Sequence, residues 1–408
     1  MSPDTTLGSV FILPNGQRVK NRLLKSAMSE ALGTRLNQVT RAHELLYGRW
    51  ARGGIGLSVT GNIMVDRRAI GEPGNVVLED DRDMAALTRW AEAARSEGGL
   101  CYVQLNHPGR QVPRFLNRRS VAPSAVPFSA RLAPGFATPR ALEESEIVGL
   151  IRRFATAAAL CEQAGFDGVQ LHGAHGYLVS QFLSPHTNRR EDAWGGDPAR
   201  RRRFLLEALR AMDAATSPSF GIALKINSAD FQRGGTEEDE NRETMAALDA
   251  EGLQFIELSG GTYEAPAMMG LKESTRAREA YFLAFAESIR SSMQTPLVVT
   301  GGFRSAAAMN DALRRGSLDM VGLARPLALF PDLPHDLLAD PGAVCTMPDL
   351  HTGIGMLDRL KAFDLVWYER QLHRMGAGGE PRPGEHPLWA LLVYLLRAGP
   401  RSLRRRRV

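Results

Sequence analysis

Short, uniformly apolar runs alternate along this chain with longer amphipathic stretches, and glycine or asparagine turns separate many of them. Val10 to Ile12 and Gln17 to Val19 flank Pro14-Asn15-Gly16, and Asn15-Gly16 is a strong signal for a small hairpin. Asn21 to Met28 then reads as a first long strand, followed by a helix over Arg41 to Arg52 that Gly53-Gly54 closes. The same unit recurs. Strands are expected at Gly56 to Met64, Leu100 to Asn106, Val169 to Leu171, Ile222 to Asn227, Phe255 to Ser259, Pro296 to Thr300 and Asp319 to Leu323. Helices are expected between them at Asp80 to Ser96, Leu142 to Ala164, Pro198 to Ala215, Glu237 to Glu251, Arg276 to Ser292 and Ser305 to Arg315.

Each strand is apolar throughout rather than alternating, which is the pattern of parallel strands covered on both faces. Eight such units predict a closed (β/α)8 TIM barrel over residues 1–335. An open doubly wound sheet is the alternative, but the first strand lacks the G-x-G-x-x-G turn of its dinucleotide-binding form. Between Gly109 and Glu143 the pattern dissolves into proline, serine and arginine, and both flanks resume regular structure at once. That insertion is expected to be a lid over a site. Residues 336–408 form an expected helical extension, with a helix over Met356 to Arg374, a connector over Gly376 to Pro387 and an apolar run over Pro387 to Leu396. Ten residues are too few to cross a bilayer. The run is expected to pack on the barrel or at a contact in a homo-oligomer, with a peripheral membrane anchor as the alternative because arginines follow it.

Composition adds few constraints. Hydrophobic residues make up 44% and charged residues 23%, ordinary for a globular protein. The net charge of +5 is concentrated: Arg397, Arg401 and Arg404 to Arg407 account for it, so the body offers no basic face for nucleic acid. Three dispersed cysteines, Cys101, Cys161 and Cys345, cannot make a four-cysteine metal site and suit a reducing compartment. Met1 to Val10 is polar and mixed, unlike a secretory leader, so a cytoplasmic location is expected.

In a barrel the working residues stand at the carboxyl ends of the strands. The fourth strand ends in His172, His175 and Tyr177, separated by small residues that let the chain curl. Alone, this cluster reads equally as loop polars or as half of a zinc site. Ala27, Met28 and Ser29 end strand one, Asn62 strand two, Gln104 and His107 strand three, and Lys225 strand five. Gly301 and Gly302 after strand seven would permit close backbone approach to a phosphate, with Ala324 and Arg325 after strand eight and the Arg325 guanidinium as a clamp. Gln104 and Lys225 suit the edge of a flat heterocycle such as a flavin.

N-R-L-L-K-S-A-M-S at Asn21, V-Q-L-N-H-P-G-R at Val103, H-G-A-H-G-Y-L-V-S-Q-F-L-S-P at His172, T-N-R-R-E-D-A-W-G-G at Thr187, T-G-G-F at Thr300 and G-L-A-R-P at Gly322 resemble the old yellow enzyme family. The resemblance covers Val10 to Leu329. It implies a barrel holding FMN, reduced by NADH or NADPH and reoxidised by an activated alkene. Under it Ala27, Met28 and Ser29 contact the flavin, with Ser29 tuning its potential, and Asn62 lies near the ring. Gln104 bonds the pyrimidine, Lys225 takes the place of a basic residue near N1 and O2, and Gly301, Gly302, Ala324 and Arg325 hold the phosphate. His172 and His175 bind the substrate carbonyl, and Tyr177 is the proton donor. Two features depart from the pattern: Glu30-Ala31-Leu32 lacks an aromatic found there in some members, and Asn106 stands where others have tryptophan or alanine. The competing functions are a zinc-dependent hydrolase, for which no third ligand is evident, and a non-catalytic binding barrel.

Overall fold

The computed structural model describes residues 4–117, 119–227, 238–260, 280, 282–355, 358 and 362–402. A hairpin, β1 (Phe11–Ile12) and β2 (Arg18–Val19), precedes the barrel. The barrel strands are β3 (Leu23–Lys25), β4 (Leu57–Val59), β6 (Leu100–Asn106), β9 (Gly168–Gly173), β10 (Gly221–Asn227), β11 (Ile256–Ser259), β12 (Leu297–Thr300) and β13 (Met320–Leu323). All pair in parallel, and β13 returns to β3 while β4 pairs with β6, which closes the cylinder. The expected second strand is broken after Val59 and resumes as β5 (Ile63–Met64), which extends β6 at the rim.

Helices α1 (Arg41–Arg52), α2 (Met84–Arg95), α3 (Glu144–Gln163), α5 (Pro198–Ala214), α6 (Glu238–Asp249), α7 (Leu283–Arg290) and α8 (Ala306–Arg314) lie outside. The acidic start of the second helix is a separate 3-10 turn, Asp81–Asp83, capped by Asp80. The part of the expected Arg276 to Ser292 helix before Ala280 lies outside the described residues. Three short helices had no expectation: α4 (Leu178–Leu183), α9 (Arg325–Leu329) and α10 (Leu333–Ala339), whose span includes residue 335. The segment between Gly109 and Glu143 carries one small parallel pair, β7 (Val121–Ala122) and β8 (Arg140–Ala141). In the extension, α11 (Ala362–Gly376) packs on α1 and α9, and α12 (Pro387–Ser402) packs on α11. Among the described residues no helix is long and apolar enough to cross a membrane.

Inside the barrel the inward residues form two layers. The lower is apolar: Leu24, Leu57, Tyr102, Ala223, Phe255, Val298 and Met320, closed from below by Leu13 and Val19 of the hairpin. Tyr102 lies across this layer and donates to Gln17 at 2.6 Å. A Cβ on Gly221 would sit 1.8 Å from its hydroxyl, so only glycine fits there. One strand step higher, because side chains on one face recur every second residue, the layer turns polar: Ser26, Gln104, Gln170, Lys225, Glu257 and Thr300, all essentially buried. The site stands on that second layer.

Candidate active site

Three of its residues lie in register on adjacent strands: His172 opposite Lys225, and Lys225 opposite Glu257. Lys225 Nζ lies 2.9 Å from Glu257 Oε1 and donates to Ser26 Oγ at 2.8 Å. Glu257 also accepts from Ser26, from Thr300 Oγ1 at 2.7 Å and from Gln170 Nε2 at 2.8 Å. Gln104 Nε2 in turn donates to Gln170 Oε1 at 2.7 Å. Burial alone would raise the Glu257 carboxyl, but Lys225 and these donors hold it below its ordinary range. Thus Gln104 and Lys225, expected together along the edge of one flat heterocycle, are two ends of one network whose centre, Glu257, the sequence reading missed. Its only signal was a carboxylate inside the otherwise apolar run Phe255 to Ser259.

At the end of β9, His172, His175 and Tyr177 converge. The imidazole of His172 lies 5.1 Å from that of His175 and 4.8 Å from the Tyr177 ring, centre to centre, both near perpendicular. His172 Nδ1 accepts from the Ala174 amide at 3.2 Å, which leaves the proton on Nε2 as an available donor. His175 has a left-handed backbone, φ 60°. Outside glycine this costs about 1–2 kcal/mol. It is held by a bond from its amide to Asn227 Oδ1 at 3.1 Å and by one from Gln111 Nε2 to its carbonyl at 3.1 Å, while its Nε2 meets Ser259 Oγ at 3.2 Å.

Both histidines are neutral. Burial, then each other and Lys225, pushes His172 well below the ordinary value, and burial followed by Lys225 takes His175 down to about 3. A group whose folded value lies below its unfolded value of 6.5 binds fewer protons when folded, so it subtracts stability as pH falls from 6.5 toward 3. The melting temperature should therefore drop between pH 6.5 and 4, and His175→Asn should remove part of that drop; an unchanged slope in this variant would contradict a buried neutral His175.

The other expected residues surround this centre. Ala27, Met28 and Ser29 line the end of β3, half-buried, and Ser29 Oγ donates to Glu72, a residue the sequence reading did not single out. Asn62 follows Gly61, whose amide is fixed by Tyr47 at 2.9 Å and Glu30 at 3.1 Å. Lys25 anchors the same corner from the outer face of β3. It donates to Tyr47 at 3.0 Å and to the Val59 carbonyl at 2.8 Å, and burial brings it down to about 8. Gly301 and Gly302 have φ of 134° and 88°, conformations open to glycine. Ala324 caps α9, and Arg325 is exposed, with no ion pair among the described residues and its guanidinium 5.9 Å from the Tyr368 ring of α11. His107 is buried and brought down to about 4, with its Nδ1 accepting from the Gly109 amide at 3.1 Å.

Two observations test the fit to a flavin. Asn106, two residues beyond Gln104 on the same face of β6, is 1% exposed, yet neither side-chain amide atom has a hydrogen-bond partner among the described residues. A buried amide without partners belongs where a ligand will supply them. At the ends of β12 and β13, two glycines at positive φ and Arg325, which has no ion pair among the described residues, have the chemistry to receive a phosphate. The residues therefore fit the group. Among the described residues no group of three or more histidine, cysteine or acidic side chains could hold a metal ion.

Comparison with known proteins agrees with this architecture. Residues 13–339 match the model of the NADH:flavin oxidoreductase / NADH oxidase family. The chain is 39% identical over 363 residues to the NADH-dependent flavin oxidoreductase iccE of Talaromyces variabilis, covering 83% of this chain and 87% of that one. It is 40% identical over 352 residues to the NADH-dependent flavin oxidoreductase nadA of Aspergillus parasiticus, covering 81% and 78%. Among solved structures, morphinone reductase in complex with tetrahydroNAD superposes with a TM-score of 0.70 at 25% identity, covering 85% of this chain and 92% of that one.

Proposed function

The chain belongs to the NADH:flavin oxidoreductase / NADH oxidase family, in its old yellow enzyme branch, and from that premise we propose that it is an FMN-dependent ene-reductase using NADH or NADPH to reduce an electron-poor C=C bond. The observation that carries this reading is the pair of histidines meeting Tyr177 at the end of β9, with His172 in register with the Lys225 of the buried Lys225–Glu257 pair.

FMN would rest on Ala27, Met28, Ser29 and Asn62, with Gln104 and Lys225 along its polar edge and Gly301, Gly302, Ala324 and Arg325 around its phosphate; when bound it supplies the hydride. The chain supplies everything else. His172 donates from Nε2 to the carbonyl or equivalent withdrawing group of the substrate, and His175 adds a second donor in the tautomer whose Nε2 accepts a hydrogen bond from the Ser259 hydroxyl and whose Nδ1 carries the proton. Neutral imidazoles suit this work, because they polarise the oxygen without surrendering a proton to it. Tyr177 delivers the proton to the α-carbon as general acid. The Lys225 ammonium, fixed by Glu257, holds positive charge where a reduced heterocycle gathers electron density.

The visible spectrum tests the premise. Purified protein should be yellow, should bleach with NADH under anaerobic conditions, and should recover its colour on adding cyclohexenone. A colourless protein that neither binds FMN nor recovers from reduction would overturn the reading. Stripping the flavin should abolish turnover, and FMN alone should restore it.

A further inference from the structure

A cavity of about 540 Å³ lies beside the site, between the barrel mouth and the C-terminal extension. That volume falls within the usual range for small-molecule pockets, roughly 300–1,000 Å³. None of His172, His175 or Tyr177 lines it, but Gln111 does, and Gln111 also donates to the His175 carbonyl at 3.1 Å. Glu72 lines it as well and accepts from Ser29 at the end of β3. Two hydrogen bonds thus tie the lining of the cavity to the residues that frame the reaction centre.

Its far wall comes from α11 and α12. Leu365, Val366 and Val393 make part of that wall apolar, and Glu369, Arg370 and His373 of α11 interrupt it. Glu369 is 6% exposed and has no hydrogen bond or ion pair among the described residues. Such a carboxyl is costly to bury unless something completes it. The basic side chains on the same wall have partners elsewhere: Arg370 lies 3.4 Å from Glu385, and His373 Nε2 meets the Glu30 carbonyl at 2.8 Å. The charges that reach the pair are themselves negative. Burial and then Glu72 raise Glu369, while burial raises Glu72, with Glu30 adding to it against the bonds from Ser29 and Asn75. Tyr394 of α12 is raised by burial and then by both carboxyls, so it faces the same point.

We propose that this cavity is the outer part of the substrate site and that Glu369 and Glu72 receive a protonated amine carried by an otherwise apolar substrate. The binding claim stands on the cavity alone; its assignment to the substrate rests on the ene-reductase reading. A neutral hydroxyl could satisfy one carboxyl by hydrogen bonding. A cation compensates two carboxyls that form no ion pair among the described residues, and an ammonium brings three donors. Cation binding must ionise the pair, so it releases protons and tightens as pH rises through the elevated carboxyl range.

Calorimetry on the flavin-loaded protein, with benzylamine and benzyl alcohol as probes, tests this. The amine should bind at least tenfold tighter at pH 8, with proton release revealed by buffers of different ionisation enthalpy, and the preference should shrink toward pH 5. Glu369→Gln should reduce it below threefold, and Glu369→Asp should restore part of it. Equal affinity of the two probes, or a preference unchanged in both Glu369→Gln and Glu72→Gln, would overturn the cation site. Benzylamine should also inhibit cyclohexenone reduction competitively. Tight amine binding without competition would detach the cavity from the substrate site. Loss of enone reduction in the unmodified protein would count against the ene-reductase reading and leave the calorimetric result standing.

Discussion

Tyr177→Phe should slow reoxidation of the reduced flavin by an enone by about 10²–10⁴-fold, the range in which a positioned general acid acts, while flavin reduction by NADH stays near the original rate. The asymmetry follows from where the hydroxyl sits. Tyr177 caps α4, and its ring lies 4.8 Å from the His172 imidazole, so both side chains serve one substrate volume. Hydride arriving from a nicotinamide needs no proton from that position, whereas saturating a C=C bond needs one at the α-carbon. Stopped-flow absorbance separates the two half-reactions. Equal slowing of both would mean that Tyr177 positions ligands and is not the acid. His172, proposed to give the activating hydrogen bond, provides the contrast: its alanine variant should lose affinity for carbonyl ligands as well as rate.

Glu257→Ala should destabilise the protein by about 3–5 kcal/mol, the cost of stranding one member of a buried pair. It leaves the Lys225 ammonium 2–3% exposed with no carboxylate, and it strands the donors Ser26, Thr300 and Gln170. Chemical denaturation monitored by tryptophan fluorescence measures this, and flavin retention on a desalting column reports on the floor. If the alanine variant does not accumulate, Glu257→Gln keeps the volume and part of the hydrogen bonding while still removing the charge. Pairing Glu257→Leu with Lys225→Met should recover much of the stability but not flavin retention, because apolar replacement of a buried ion pair is close to neutral for folding while the cation at the flavin edge is gone. Full stability and full flavin content in Glu257→Gln would show that the pair does not hold the site together.

These two residues differ in how visible they were. Tyr177 sits in G-A-H-G-Y, where glycines, histidines and a tyrosine crowd a strand end, and that crowding is itself a chemical signal. Glu257 is one carboxylate in an apolar run, a local signal that does not by itself say what the carboxylate meets. Closing β10 against β11 in register is what sets it opposite Lys225. Glu72 and Glu369 show the same limit more strongly. They lie far apart in the chain, and only the docking of α11 over the loop after β5 brings both to one cavity.

The chain's local pattern was sufficient for the units themselves. Uniformly apolar strands, acidic helix starts and an Asn-Gly hairpin are properties of neighbours in sequence, because they depend on backbone hydrogen bonding and on burial of one short segment at a time. It was sufficient too for the strand-end residues, since eight parallel strands in one barrel must deliver those ends to one face. What tertiary structure alone decided is which charges meet. The polar layer around Glu257, the lowered proton affinity of the two histidines beside Lys225 and the Glu369 carboxyl, without a hydrogen bond or ion pair among the described residues, all arise from residues distant in sequence sharing desolvated volumes. In such a volume water no longer screens charge, so the energy of each group is set by its neighbours in space, and those neighbours exist only once the barrel has closed.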